Sequence, residues 1–285
     1  MKYSKWLDKH LPNLENINII VTGANSGLGY ECCRALLYKK ATIIMACRNK
    51  ERANKARENL LIEFPNSNLY IKELDLSSFD SIKKFVNSLD INIDVLINNA
   101  GVYHPKKGSK TKEGIDLTIG TNYFGMYYLN KLIENKINNK DIMIINVSSI
   151  TYRYSKLDLD KFENSYAKSK LAIAAYTLAK QQESKNKYYL VHPGISATNI
   201  IQNFSSWFQK AGSIFMKLFF HSPQKACLSL IAPLSDIKAD NYGPRVLQIN
   251  GYPKKIKYSK KIRKLSKDII EKSNKYLQSI NSNFN

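Results

Sequence analysis

The sequence predicts an α/β protein built on a doubly wound parallel sheet with helices on both faces. Two patterns and one motif carry this. Six short apolar runs alternate with helix-length segments, the signature of βαβ units rather than of hairpins. Ala41-Thr42-Ile43-Ile44-Met45-Ala46 is a short apolar run of the kind expected of a strand buried on both faces. The first of the six runs, Ile17-Asn18-Ile19-Ile20-Val21, opens into a glycine-rich turn, Thr22-Gly23-Ala24-Asn25-Ser26-Gly27-Leu28-Gly29, that leads into a helix. At 285 residues the chain can bury a large core as a single domain, and no repeat or low-complexity linker divides it.

The glycine turn is the first element with chemical content. A strand, a tight turn and a helix in that order aim backbone N–H groups at the helix N-terminus, where they bind phosphate. Glycines let the backbone turn sharply and approach a pyrophosphate with no Cβ in the way. The spacing is Gly23-x3-Gly27-x-Gly29, with Asn25, Ser26 and Leu28 completing the candidate phosphate loop. A turn that merely closes a βα unit would look similar, so its meaning depends on the motifs in the rest of the chain.

The helix after the turn runs through Cys32, Cys33 and Leu37, and Ala41 to Ala46 reads as a second buried strand. A charged helix from Glu51 to Glu63 is stopped by Pro65. Leu69-Tyr70-Ile71 leads to Leu74-Asp75-Leu76, and a helix from about Phe79 to Leu89 takes Ser77 or Ser78 as its N-cap. The strand Ile93 to Ile97 closes on Asn98-Asn99-Ala100-Gly101, followed by a long helix from about Gly114 to Lys136. Ile142 to Val147 is a strand ending at Ser148-Ser149; a helix containing Tyr166 and Lys170 follows, then the strand Tyr188 to His192 and the break Pro193-Gly194. In such sheets the ligand lies beyond the carboxyl ends of the strands. Gly23, Arg48, Asp75, Asn99, Ser149 and Pro193 all stand just past those ends, so one cofactor could touch all six.

Two segments are appended to this body. Residues 196–222 hold Phe204, Trp207, Phe208, Phe215, Phe219 and Phe220. A connection this long is usually a lid or binding loop, though two small helices packed on the core would read the same way. The basic tail, residues 254–285, carries Ile262, Leu265, Ile269, Tyr276 and Ile280 at helical spacing, which predicts an amphipathic helix docked on the body.

Composition bounds the partners. The formal charge is +21, of which the stretch from Lys254 to Lys275 contributes +8. A nucleic-acid or anionic-membrane surface is one explanation and a compositional bias toward Lys, Asn and Ile is the other. The basic stretch lacks interleaved aromatics, which argues against a single-strand platform and disfavours nucleic acid. The four cysteines have no metal-ligand spacing and read as reduced core residues, so no metal is expected. No secretory leader or bilayer-spanning run is seen, and a cytoplasmic protein is expected. Peripheral membrane contact and homo-oligomerisation stay open.

Tyr166-Ala167-Lys168-Ser169-Lys170 places a phenol and an ammonium one helical turn apart. A free tyrosine titrates near 10, and a neighbouring ammonium stabilises its phenolate. The pair can thus act as general acid or base toward a carbonyl or alcohol. Ser149 can hydrogen-bond the substrate oxygen. Asn122, polar on an otherwise apolar helix face, could hold a water that relays protons through Lys170. Tyr152 and Lys156 repeat the spacing but lie in the loop just after Ser149, whereas Tyr166 opens an alanine-rich helix that can pack close to the sheet.

These motifs together resemble the short-chain dehydrogenase/reductase family: the glycine turn, Asp75-Leu76, Asn98 to Gly101, Asn122, Val147-Ser148-Ser149, Tyr166-x3-Lys170, and Pro193-Gly194 with Thr198. Within it, the glycine turn, Ala46-Cys47-Arg48-Asn49 and the pair Tyr242-Gly243-Pro244 and Gly251-Tyr252-Pro253-Lys254-Lys255 resemble the retinol-dehydrogenase-like branch. The resemblance implies a Rossmann-type three-layer α/β/α single domain and hydride transfer between a nicotinamide and a carbonyl or alcohol carbon. Tyr166 would exchange the proton, Lys170 would lower its pKa and bind the nicotinamide ribose, Ser149 would position the substrate oxygen and Asn122 the relay water. Asp75 with Leu76 would contact adenine, Asn99, Ala100 and Gly101 would line the adenosine side, and Pro193, Gly194 and Thr198 would hold the nicotinamide end. The spacing from Ser149 to Tyr166 and the lysine at Lys225 depart from the family's usual pattern.

Cofactor choice follows from the end of the second strand. A carboxylate there would bind the ribose 2′-hydroxyl of NAD; here the position is Cys47, followed by Arg48. A missing acid and a guanidinium favour NADP over NAD, although Arg48 could be a surface charge alone. The expected function is an NADP(H)-dependent oxidoreductase acting on a hydrophobic, retinoid-, steroid- or lipid-like carbonyl or alcohol. A cofactor-binding protein with a regulatory, RNA- or membrane-binding role through its tail is the alternative.

Overall fold

The computed structural model describes residues 3–103, 105–137, 141–194, 222–246 and 250–280. Eight strands form one sheet in the order β3-β2-β1-β4-β5-β6-β7-β8. They are β1 Asn18–Thr22, β2 Thr42–Cys47, β3 Leu69–Glu73, β4 Val95–Asn98, β5 Met143–Val147, β6 Lys187–Val191, β7 Asn241–Val246 and β8 Asn250–Lys255. All neighbours pair parallel except β7 with β8. The reversal of strand order between β1 and β4 opens the crevice in which ligands of such sheets bind.

Two apolar layers flank the sheet. On one face α1 (Tyr3–His10), α2 (Gly27–Tyr38), α3 (Lys50–Glu63) and α8 (Pro223–Ile231) bury Trp6, Leu36, Leu60 and Leu228 against Ile19 and Ile43. On the other, α4 (Phe79–Asn87), α6 (Met126–Lys136) and α7 (Tyr166–Glu183) bury Phe85, Leu129 and Leu171 against Ile20 and Ile144. Helices on both sides of a mostly parallel sheet are what the alternating apolar runs required. Ser78 is the N-cap of α4, accepting from Ser81 N at 3.3 Å.

Four features depart from the sequence reading. The sheet has eight strands rather than six, because β7 and β8 carry Gly243, Pro244, Gly251 and Pro253. Those residues weaken the local strand signal, and only pairing on the open β6 edge recruits them. The long helix does not start at Gly114, whose φ is +81° and which lies in a turn. It starts at α5 (Leu117–Ile119) and widens to a π-helical stretch over Gly120–Gly125 before α6. The tail forms two helices, α9 (Lys260–Leu265) and α10 (Ile269–Ile280), with Ile262, Ile269 and Leu277 buried and Leu265, Tyr276 and Ile280 at least partly exposed. Helix α1 carries no motif in the sequence; Trp6 and Leu7 seat it. Residues 196–221, which the sequence marks as a lid or binding segment, lie outside the described residues. Among the described residues no helix is long and apolar enough to cross a membrane.

Candidate active site

A cavity of about 570 Å³ runs along the carboxyl edge of the sheet. It gathers residues from the loops after β1, β2, β3, β4, β5 and β6 together with the start of α7. Of the residues the sequence singles out, Gly23, Asn25, Ser26, Gly27, Leu28, Arg48, Asp75 and Leu76 line it. Asn99, Ala100, Gly101, Ser149, Tyr166, Lys170, Pro193 and Gly194 continue the lining. Gly29 and Asn122 are not on its wall, and Thr198 lies outside the described residues. A second depression of about 780 Å³ on the outer β3 side is lined by Asn54, Arg57, Tyr70, Lys72 and Asp90. It contains neither the glycine turn nor Tyr166 and Lys170, which line the first cavity.

The glycine turn is shaped to take a phosphate. Gly23 and Gly27 sit at φ +66° and +56°, a region that favours glycine. Ser26 is the N-cap of α2 but makes no side-chain capping bond, which leaves the first-turn N–H groups for a ligand. The turn is braced from β4: Asn99 Nδ2 donates to Thr22 O at 2.9 Å and Gly23 O at 3.3 Å, while Thr22 Oγ1 accepts from Asn99 N and Ala100 N at 3.0 and 2.9 Å. Asn99 therefore holds the loop as much as it lines the cavity. Gly29 serves packing: a Cβ there would fall 2.4 Å from Gly23 O and 2.6 Å from Asn99 Nδ2.

Past β2 the cavity wall turns basic. Arg48 is exposed, and Asn49 caps α3 by accepting from Arg52 N at 2.7 Å, which brings Arg52 onto the same wall. Arg52 is absent from the sequence reading. Its signal is nonetheless local, since a residue in the first turn of an Asn-capped helix stays near the preceding strand end. Buried Cys47 accepts hydrogen bonds from the backbone of Ala24 and Asn25, and burial lifts its thiol to about 11, so it is neutral where an acid would discriminate. Asp75 Oδ1 accepts from Ser77 N and Ser77 Oγ at 2.9 and 2.6 Å.

Ser149, Tyr166 and Lys170 lie where the end of β5 meets α7. Ser148 Oγ donates to Lys170 O at 2.8 Å, tying the helix to the strand end. Lys170 is 4% exposed; its Nζ donates to Val147 O at 2.8 Å and lies 5.6 Å from the Tyr166 ring centroid. Burial lowers the Lys170 ammonium to about 8. The Tyr166 phenol is pushed up, chiefly by burial and against a lowering hydrogen bond with Ser149. The sequence alone predicts that Lys170 lowers it. Here burial is the largest cause and sets the direction of the shift. Tyr152 and Lys156 do not line the cavity; Tyr152 is buried in a 3₁₀ turn, Ile150–Tyr154, and Lys156 is exposed.

Asn122 sits in the π-helical stretch and is 1% exposed. Its Oδ1 accepts from Val102 N at 2.7 Å and its Nδ2 donates to Val102 O at 3.0 Å and to Ser169 Oγ at 3.2 Å. The side chain is thus fully engaged, pinning the loop after β4 to α7. A Cβ on Gly101 would meet Asn122 Oδ1 at 3.1 Å and Lys170 Nζ at 3.8 Å, so the three converge. On the far side Gly194, at φ +79°, donates its N–H to His192 Nδ1 at 3.3 Å, which shapes the Pro193-Gly194 turn. Tyr103, Thr121, Ile150 and Thr151 also line the cavity and escape the sequence reading, since no motif marks them.

A sequence profile described as short chain dehydrogenase matches residues 17–209. Retinol dehydrogenase 14 of Mus musculus is 34% identical over 207 residues, covering 64% of this chain and 62% of that protein. The chloroplastic short-chain dehydrogenase TIC 32 B of Brassica napus is 31% identical over 220 residues, 68% of each chain. The chain thus spans about two thirds or less of the length of these relatives. A crystal structure of an uncharacterized protein from Mycobacterium Paratuberculosis superposes with a TM-score of 0.74 at 25% identity, covering 93% of this chain and 94% of that one. The profile match extends over more than half of the chain and contains the glycine turn, Ser149, Tyr166 and Lys170, and the chain belongs to the short-chain dehydrogenase family.

Proposed function

We propose that the protein is an NADP(H)-dependent oxidoreductase that interconverts a hydrophobic carbonyl compound and its alcohol. The observation that carries this reading is the convergence of Ser149, Tyr166 and Lys170 on the same cavity as an uncapped helix N-terminus. The residues fit the dinucleotide. The α2 N-terminus accepts phosphate, Asp75 and Leu76 flank an adenine position, and Arg48 with Arg52 offers two guanidiniums to a ribose 2′-phosphate.

When bound, the dinucleotide would supply the hydride to the carbonyl carbon or take it from the alcohol carbon. The chain does the rest. Ser149 donates a hydrogen bond to the substrate oxygen and shares the charge that develops on it. Tyr166 gives its phenolic proton to that oxygen in reduction and receives it in oxidation. Burial keeps the phenol protonated at neutral pH, which suits the reductive direction. Lys170, charged for the most part below about pH 8, steadies the phenolate once the proton has left and has N–H groups to spare for a ribose. Asn122 holds Gly101 and Val102 against this group. The aromatic content of residues 196–222 supports a hydrophobic substrate.

The test is a titration with NADPH and NADH followed by a panel of aldehydes and ketones, with Tyr166→Phe as control. Turnover by the wild type should exceed that of the variant by about 10²-fold or more, while both bind the dinucleotide. NADPH binding without any Tyr166-dependent turnover would instead favour a cofactor-binding protein with a regulatory role.

A further inference from the structure

The turn that begins at Ser149 is held from the far end of the chain. Ser149 is the N-cap of the 3₁₀ turn Ile150–Tyr154, and its Oγ accepts from Thr151 N at 3.4 Å. The same hydroxyl hydrogen-bonds Tyr166, so its direction depends on where the turn sits. The other end of the turn is gripped by Lys261, in the first turn of α9. Its Nζ donates to Tyr152 O at 3.4 Å, to Arg153 O at 2.9 Å and to Ser155 O at 2.5 Å. The next residue, Ile262, is buried in the same apolar layer as Tyr152.

An ammonium has three N–H groups, and Lys261 gives all of them to this one turn. The carbonyls it takes stand at a helix C-terminus, where backbone acceptors run out of partners and a cation is favourable. Bonds of 3₁₀ type have poorer geometry than α-helical ones, and the closing bond here, Ser155 N to Tyr152 O, is 3.3 Å long. The position of so short a turn is therefore set by what holds its ends. We propose that Lys261 is a positioning residue for the reaction: it fixes the turn at its C-terminal end so that Ser149, at the N-terminal end, keeps its hydroxyl on the substrate oxygen. The basic tail then serves the chemistry through this ammonium as well as packing on the body. The inference rests on the oxidoreductase reading, because its effect passes through the role given there to Ser149.

The experiment is a double-variant cycle on kcat for an aldehyde reduced with saturating NADPH. Lys261→Met should lower kcat about tenfold, within the roughly 10²-fold that a misplacement of about 1 Å can cost. The dissociation constant of NADPH should not change, and Lys261→Arg should restore most of the rate. In a Ser149→Ala background Lys261→Met should change kcat by less than about twofold, since the group it positions is gone. An equal loss in both backgrounds would overturn the proposal and make Lys261 a general prop. Lys272→Met removes another contact of the tail, with Asp160 at 2.6 Å, and should leave kcat at the wild-type level; a loss as large as that of Lys261→Met would also overturn it. A second readout needs no turnover: amide hydrogen exchange of the peptide spanning residues 148–156. Lys261→Met should speed exchange there about tenfold and leave residues 22–29 unchanged. That result supports the brace even if wild type reduces no aldehyde, in which case the oxidoreductase reading fails alone. Unchanged exchange over residues 148–156 overturns the brace whatever the turnover.

Discussion

Replacing Lys170 by methionine should remove activity and also abolish a pH dependence of stability that the wild type carries. Lys170 is 4% exposed, and burial brings its ammonium from 10.5 down to about 8. That displacement corresponds to about 3 kcal/mol. In the unfolded chain the amine titrates near its ordinary value, so between about pH 8 and 10.5 the unfolded state binds a proton that the folded state has lost. Stability of the wild type therefore rises with pH across this window. Below it the whole penalty stands; above it the penalty is gone. Methionine carries no such dependence, but it leaves the Val147 carbonyl without its 2.8 Å partner, a loss of about 1–3 kcal/mol. The two effects nearly offset at pH 7, so the variant should match wild type or exceed it by up to about 2 kcal/mol. The informative quantity is the change in that difference. Urea denaturation of both proteins at pH 7 and pH 10.5 should show the variant losing about 3 kcal/mol relative to wild type at the higher pH. Because other titrating groups are common to both proteins, they cancel. A difference independent of pH would refute the reasoning, since it would mean that Lys170 is not held charged in a dry site.

Three further outcomes are expected. Gly29→Ala drives a Cβ into Gly23 O and Asn99 Nδ2, so it should cost about 1–3 kcal/mol in denaturant stability and weaken dinucleotide binding; wild-type values in both measurements would show that the turn yields without cost. Arg48→Ala and Arg52→Ala should each weaken NADPH more than NADH, with the double variant losing about tenfold or more of the NADPH preference in a fluorescence titration; equal losses for the two dinucleotides would end the 2′-phosphate argument. The raised Tyr166 phenol predicts that alcohol oxidation climbs with pH through the alkaline range while carbonyl reduction stays level around neutrality. Parallel kcat/KM profiles in the two directions would contradict it.

Much of the site is legible in the sequence because its residues stand at strand ends. An apolar run stops where the chain leaves the sheet, and the next residue faces the crevice; this places Gly23, Arg48, Asp75, Asn99, Ser149 and Pro193 together. Helical spacing does the same for Tyr166 and Lys170. The use to which each side chain is put stays hidden. Asn122 reads as a polar residue that could hold a relay water, and the structure shows its amide hydrogen-bonded to Val102 and Ser169. Gly29 reads as a ligand contact and is a packing requirement. The shift of Tyr166 reverses direction because burial is a property of everything around it, which no spacing encodes.

The sequence by itself determined the sheet class, the order of its first six strands along the chain, the glycine turn and the placing of Tyr166 and Lys170 one turn apart on a helix, because periodicity, glycine geometry and i, i+4 spacing are local. Tertiary structure decided the rest. It recruited glycine- and proline-bearing β7 and β8 to the sheet edge, where pairing compensates for poor propensity. It set the Tyr103 ring against Tyr166, a contact between segments far apart in the chain. It also buried Lys170 deeply enough to change its charge balance, since desolvation depends on packing from every side at once.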